Sequence, residues 1–126
     1  MKIAAYEVRE DEKPFFEEFA AAQGCELVLT SENLTVGTIS MAKGCDGVTT
    51  LGQSSLKGEL LEHLHNLGIK AIATRTIGYN HIDLERCAAL NIQVCNAAYA
   101  PNGVADYTVM LMLMCLRNYK QALFRL

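Results

Sequence analysis

The sequence contains no G-x-G-x-x-G stretch, so the glycine fingerprint that cradles a dinucleotide pyrophosphate is missing from these residues. Its five cysteines, Cys25, Cys45, Cys87, Cys95 and Cys115, include no C-x-x-C pair and no metal-ligand spacing. Several fall within apolar patterns, where a free thiol behaves as a small hydrophobe, and a reducing cytoplasm is the expected location. Positive charge is not in excess. A formal net charge of -3 leaves no basic footprint and argues against nucleic acid as a partner. The longest apolar run, Val109 to Leu116, is far too short to span a membrane. No charged segment followed by an apolar one opens the sequence, so no secretory leader is expected. No repeat, low-complexity tract or Pro/Gly-rich linker occurs either. What is present is 126 residues, 51% hydrophobic and 20% charged, which is at most one domain with enough apolar material for a proper core.

Apolar runs alternate with helical patterns. Lys2 to Val8 reads as a first strand, and Pro14 suits the first turn of the helix after it. Phe15, Phe19 and Ala22 share one face of that helix with Phe16 and Ala20 beside it, and Gly24 ends it as a C-terminal cap. Glu26 to Leu29 is a second strand. Thr35 to Ala42 is expected to form a short helix, against the preference of its β-branched residues. Gly47 to Leu51 is a third strand. Ser54 or Ser55 is expected to cap the next helix, where Leu56, Leu60, Leu64 and Leu67 form one stripe before Gly68 stops it. Lys70 to Ala73 and Gln93 to Asn96 supply two more strands, separated by a helix ending at Leu90. Such alternation calls for an open parallel five-stranded sheet with helices on both faces.

After Tyr99-Ala100-Pro101-Asn102-Gly103 the pattern changes to one long helix reaching about residue 123. Asn102 is the expected cap, Asp106 lies near its start, and Arg117 and Lys120 lie towards its end. Its middle, Val109 to Leu116, is apolar all round, which requires burial on every side. It is either a plain core helix or an interface helix in a dimer or between domains.

The segment Thr74-Arg75-Thr76-Ile77-Gly78-Tyr79-Asn80-His81-Ile82-Asp83-Leu84 joins the fourth strand to its helix. Turns of this kind, at the carboxyl ends of strands, are where ligands bind in open α/β sheets. Gly78 permits close approach of backbone to a ligand, and the N–H groups of Ile77 and Gly78 form a candidate anion nest. Asn80 is the expected cap of the next helix, with Asp83 in the acidic position of a capping box, and the helix dipole favours an anion nearby. The same turn also occurs in α/β domains for structural reasons alone.

The wording TRTIGYNHIDL, followed one strand later by AYAPNGVADYTVMLMLM, resembles the D-specific 2-hydroxyacid dehydrogenase family. The likeness is strongest to its D-lactate dehydrogenase branch, which includes the enzymes of vancomycin resistance. It spans roughly residues 45 to 120, and residues 1 to 44 agree in pattern more than in wording. The resemblance implies a flavodoxin-like substrate domain over residues 1–100, incomplete in these residues. It is followed over 101–126 by a long apolar helix that opens a nucleotide-binding domain and contributes to a homodimer through residues 104–116. The implied reaction is NAD-dependent reduction of a 2-oxo acid such as pyruvate to the D-hydroxy acid. The family takes its cofactor fingerprint and its catalytic Arg, Glu and His from later in the chain. An amino-terminal fragment is therefore expected, inactive alone and not binding NAD by itself, with no catalytic residue of its own.

By motif, the Ile77 and Gly78 amides are expected to hold the substrate carboxylate, with Tyr99 against the substrate or at the domain hinge. Leu51 falls where some lactate-specific relatives place a tyrosine, which leaves the identity of the 2-oxo acid open. Other polar residues have structural readings. His81 is explained by the helix start, His63 and His65 by the surface, and Arg75 by a structural role near the strand end. Glu7, Glu10, Asp11 and Glu12 read as a solvated turn rather than a metal site. The alternative function is a non-catalytic flavodoxin-like binding or assembly module. Val8-Arg9-Glu10-Asp11 is a poor flavin phosphate loop, and a phospho-receiver's acidic residues and lysine are missing from the ends of the third and fifth strands.

Overall fold

A computed structural model of the chain describes residues 1–125; Leu126, the last residue of the expected 101–126 segment, lies outside them. The elements are β1 (Lys2–Ala5), α1 (Lys13–Gln23), β2 (Glu26–Leu29), β3 (Gly47–Thr50), α2 (Glu59–Asn66), β4 (Ala71–Thr74), α3 (Leu84–Ala89), β5 (Gln93–Asn96), α4 (Asn102–Leu116) and α5 (Tyr119–Leu123). A 3-10 turn, Ile39–Ala42, lies between β2 and β3. Every strand pairing is parallel, in the order β2-β1-β3-β4-β5. The order reverses between β1 and β3, and an open sheet of this kind presents a crevice at the carboxyl ends of its strands.

Register places the core. Ala4 pairs with Val28 and Val48, Val48 with Ile72, and Ile72 with Val94, so one apolar row crosses all five strands. Leu60, Leu61 and Leu64 of α2, Cys87 of α3, and Leu34, Ile39, Ala42, Leu56 and Ile82 belong to the same cluster. Leu56, Leu61, Leu64 and Ile72 are fully buried, and each such side chain contributes roughly 2 kcal/mol by leaving water. The other row, with Ile3, Leu27, Gly47 and Ala71, lines an apolar groove of about 440 Å³ bordered by Phe16 and Phe19 of α1. α1 buries none of its residues. The sheet is closed on one side and half open on the other.

Several local expectations are corrected. The helix expected over 35–42 is a single 3-10 turn. Thr38 Oγ1 donates to the Asn33 carbonyl at 2.6 Å and accepts from the Thr35 N–H at 3.0 Å, a local arrangement that competes with a helical start. α2 begins at Glu59 behind Gly58 rather than behind a serine cap, because Ser54 is engaged elsewhere; Leu56 therefore precedes the helix, and Leu61 joins its buried face. Asn80 does not cap α3. Asp83 does, accepting from the Arg86 N–H at 2.9 Å. Pro101 occupies the cap position of α4, with no side-chain cap, so Asn102 is its first residue.

α4 ends at Leu116, where Asn118 turns into the left-handed region (φ 49°) and α5 starts afresh. Arg117 and Lys120 consequently lie beyond the last turn of α4. The requirement that 109–116 be buried is not met by this chain: Met110, Leu111, Met112, Leu113 and Leu116 are all exposed. Among the described residues the main contacts of α4 are with α5, and none of its residues is buried. Cys45 and Cys87 are buried, Cys25 is half-buried, and Cys95 and Cys115 are exposed; all five are free thiols. Among the described residues, no helix is long and apolar enough to cross a membrane, and no three His, Cys, Asp or Glu side chains are grouped to hold a metal.

Candidate functional site

The segment between β4 and α3 is held from several directions. The Arg75 N–H donates to the Thr50 carbonyl at 2.8 Å and the Ala97 N–H to the Thr76 carbonyl at 3.1 Å, extending the ladders beyond the strand ends. Thr76 Oγ1 donates to the Gly78 carbonyl at 2.7 Å, and Asn96 Nδ2 donates to the Ile77 carbonyl at 2.8 Å. Ile77 and Gly78 themselves lie exposed, and the position of a Gly78 Cβ is open space. Among the described residues neither the Ile77 nor the Gly78 N–H donates a hydrogen bond.

His81 takes part in fixing this segment. Thr74 Oγ1 lies 2.7 Å from Thr76 Oγ1 and 3.3 Å from His81 Nε2. Thr76 uses its hydroxyl proton on the Gly78 carbonyl, so Thr74 donates to Thr76 and His81 Nε2–H donates to Thr74. The result is a relay from imidazole through two hydroxyls to the loop. His81 is half-buried and lies before the start of α3, so a helix start does not explain it.

Arg75 reaches the end of β1. Its Nη2 donates to the carbonyls of Tyr6 (3.1 Å) and Glu7 (2.9 Å), its Nε lies 3.4 Å from Glu12 Oε1, and the guanidinium stacks 5.2 Å from the Phe16 ring centre. It clamps β1 to the β4 loop, the structural role expected of it near the strand end.

Glu7 overturns the expected solvated turn. It is 4% exposed, and its Oε2 accepts from the Leu51 N–H at 2.6 Å and the Gln53 N–H at 3.0 Å. Its Oε1 accepts from Ser54 Oγ. Glu12 is half-buried beside Arg75, and only Glu10 and Asp11 behave as solvated groups, pairing with Lys13 and Arg9. The signal for Glu7 lay in its position at the end of β1, masked by three further acidic residues. Asn96 was also missed, although an asparagine ending β5 beside the loop is well placed to satisfy a carbonyl.

Leu51 is half-buried at the end of β3, and Tyr99 is 56% exposed after β5, in none of these hydrogen bonds. His63 is half-buried, its Nδ1 2.8 Å from the Glu59 carbonyl oxygen, and His65 is exposed. The β1–α1 connection carries Glu7, Glu10, Asp11 and Glu12 where a nucleotide loop carries glycines, so these residues do not fit a dinucleotide phosphate.

The fold is an open parallel α/β sheet with a crevice at the carboxyl ends of its strands, where, among the described residues, the Ile77 and Gly78 amides have no hydrogen-bond acceptor. Comparison with known proteins then sets the family. Residues 3–122 match the D-isomer specific 2-hydroxyacid dehydrogenase catalytic domain, and the chain belongs to that family. It is 40% identical over 126 residues to an aromatic 2-oxoacid reductase of Clostridium sporogenes, covering 99% of this chain and 38% of that protein. The apo-structure of D-lactate dehydrogenase from Escherichia coli superposes with a TM-score of 0.85 at 30% identity, covering 97% of this chain and 40% of that one. The NAD-complexed D-isomer specific 2-hydroxyacid dehydrogenase from Lactobacillus delbrueckii ssp. bulgaricus gives a TM-score of 0.76 at 30% identity, covering 96% of this chain and 37% of that one. The chain thus spans about two fifths of the length of each.

Proposed function

We propose that the chain is the amino-terminal, substrate-binding part of an NAD-dependent D-2-hydroxyacid dehydrogenase that reduces a 2-oxo acid such as pyruvate. Residues 1–100 are its substrate domain, and residues 101–126 lead into a nucleotide-binding domain. The observation that carries this reading is the pair of amides at Ile77 and Gly78, without an acceptor among the described residues, in a turn whose carbonyls are held by Thr76 and Asn96. A substrate carboxylate accepts both N–H groups, and charge-assisted hydrogen bonds of this kind contribute about 1.5–3 kcal/mol each. Tyr99 borders the bound acid or the hinge beside it. The cofactor, when bound, supplies the hydride that reduces the carbonyl carbon. Residues of this chain orient the acceptor and hold no part of the cofactor. No proton transfer is assigned to His81, whose Nε2 faces Thr74.

Two features support a larger assembly. The sheet face lined by Ile3, Leu27 and Ala71 is half open, and α4 exposes a row of methionines and leucines. Contiguous apolar surface of this kind marks an interaction site. We place a homodimer contact on residues 104–116, and the five free cysteines favour a reducing, cytoplasmic setting.

The test is NADH oxidation with pyruvate, measured for the native gene product and for the 126-residue chain. Turnover by the native product and none by the isolated chain is expected; a clear rate from the isolated chain would sink this reading. The exposed face of α4 also favours a second reading, an assembly module without catalysis. Light scattering after size exclusion bears on it, since a strictly monomeric chain argues against that use of the helix.

A further inference from the structure

Residue 7 is where four strand-end connections meet. Its N–H donates to the Glu32 carbonyl at 3.0 Å, tying the end of β1 to the segment after β2. Its carbonyl accepts from Arg75 Nη2 at 2.9 Å, tying β1 to the β4 loop. Its carboxylate accepts from the Leu51 and Gln53 N–H groups and from Ser54 Oγ, all in the β3–α2 loop. Ser54 Oγ in turn accepts from the Leu34 N–H at 2.8 Å. To make these contacts Glu7 adopts φ 58°, a left-handed conformation that side chains other than glycine seldom take. Strain at a fully satisfied buried carboxylate indicates that the surrounding contacts dictate its conformation.

The loop that Glu7 grips leads to the free amides. Leu51 and Gln53 flank Gly52, so holding their N–H groups fixes the backbone of Gly52. Gly52 in turn lies against Thr76 and His81: a Cβ there would stand 3.1 Å from Thr76 Cγ2 and 3.5 Å from His81 Cε1. Thr76 then donates to the Gly78 carbonyl. One path therefore runs from the Glu7 carboxylate through Gly52 and Thr76 to Gly78, and a second from the Glu7 carbonyl through Arg75.

We propose that Glu7 is a positioning residue for 2-oxo acid binding, presetting the Ile77–Gly78 amides through the 51–54 loop. It touches no substrate; it keeps the loop that bears on Thr76 in one place before the acid arrives. Loss of this preorganisation weakens binding, because the ligand must then order the amides itself. The inference rests on the proposed role of Ile77 and Gly78.

The test compares the native gene product with its Glu7→Gln and Ser54→Ala variants, using NADH and pyruvate. Glu7→Gln keeps the shape but turns one acceptor into a donor facing N–H or O–H groups. A tenfold or larger rise in KM with kcat within threefold is expected, together with faster exchange of the Leu51 and Gln53 amides that the carboxylate holds. A KM within twofold of the parent overturns the proposal while leaving the dehydrogenase reading intact. Ser54→Ala removes one donor of three and serves if Glu7→Gln does not fold: a threefold rise in KM is expected, and an unchanged KM overturns the proposal. A parent protein that reduces no 2-oxo acid overturns the underlying reading, and the substrate role of Glu7 with it.

Discussion

Gly52 and Thr76 meet backbone to side chain, with Gly52 at φ 98° and its missing Cβ only 3.1 Å from Thr76 Cγ2. The positive φ favours glycine, and a Cβ would press on the Thr76 methyl. Gly52→Ala is expected to destabilise the fold by about 1–2 kcal/mol and to displace Thr76 from the Gly78 carbonyl. Urea unfolding checks the first effect, and a shifted Thr76 methyl resonance the second.

Arg75 joins the carbonyls of Tyr6 and Glu7 to the β4 loop while stacking on Phe16. Lysine keeps the charge but has neither the planar fork nor the stacking surface. Arg75→Lys is therefore expected to cost about 1–3 kcal/mol, set mainly by the lost hydrogen bonds to the two carbonyls. The pair with Glu12, long at 3.4 Å although both side chains are mostly buried, adds less than those bonds. A denaturation midpoint equal to that of the parent contradicts this assignment.

Tyr6 gives a pH signature. It is fully buried, its hydroxyl donates to the Thr38 carbonyl at 3.1 Å, and burial, with a smaller push from Cys45, raises its pKa from 10.0 to about 12. The folded state therefore retains a proton that the unfolded chain releases. This contribution is fully present below pH 10 and disappears as pH rises towards 12, on the order of 2 kcal/mol in all. Thermal melts across this range should decline for the parent, and Tyr6→Phe should remove that part of the decline.

The thiols divide by environment. Burial pushes the Cys45 and Cys87 thiols up, whereas Cys95 and Cys115 are exposed. A disulfide reagent at neutral pH should modify Cys95 and Cys115 rapidly, and Cys45 and Cys87 only when the protein unfolds. Rapid native-state labelling of Cys87, followed by peptide mass mapping, contradicts the packing of α3.

Periodicity made the sheet legible, because buried parallel strands are short apolar runs and Gly24 and Gly68 punctuate the helices between them. Residues 35–42 failed because threonine side chains compete locally with the helix. The caps at Ser54 and Asn80 failed because those side chains were read only against their nearest helix, while Ser54 serves Glu7 across the sheet end. α4 was legible as apolar but not as exposed, since sequence reports the need for burial and not which polypeptide supplies it. The Ile77–Gly78 turn was visible from glycine and strand end together. Its supports, Glu7, Asn96 and the Thr74–Thr76–His81 relay, come from separate strand ends, and no local pattern marks them.

The most direct measurement is hydrogen–deuterium exchange of the native gene product with NADH, with and without oxamate, a non-reducible stand-in for pyruvate. If Ile77 and Gly78 hold the substrate carboxylate, their amides gain protection on adding oxamate, more than those of any other residue in 74–84. Binding of oxamate with no change across 76–79 would contradict the assignment of the carboxylate to these two amides.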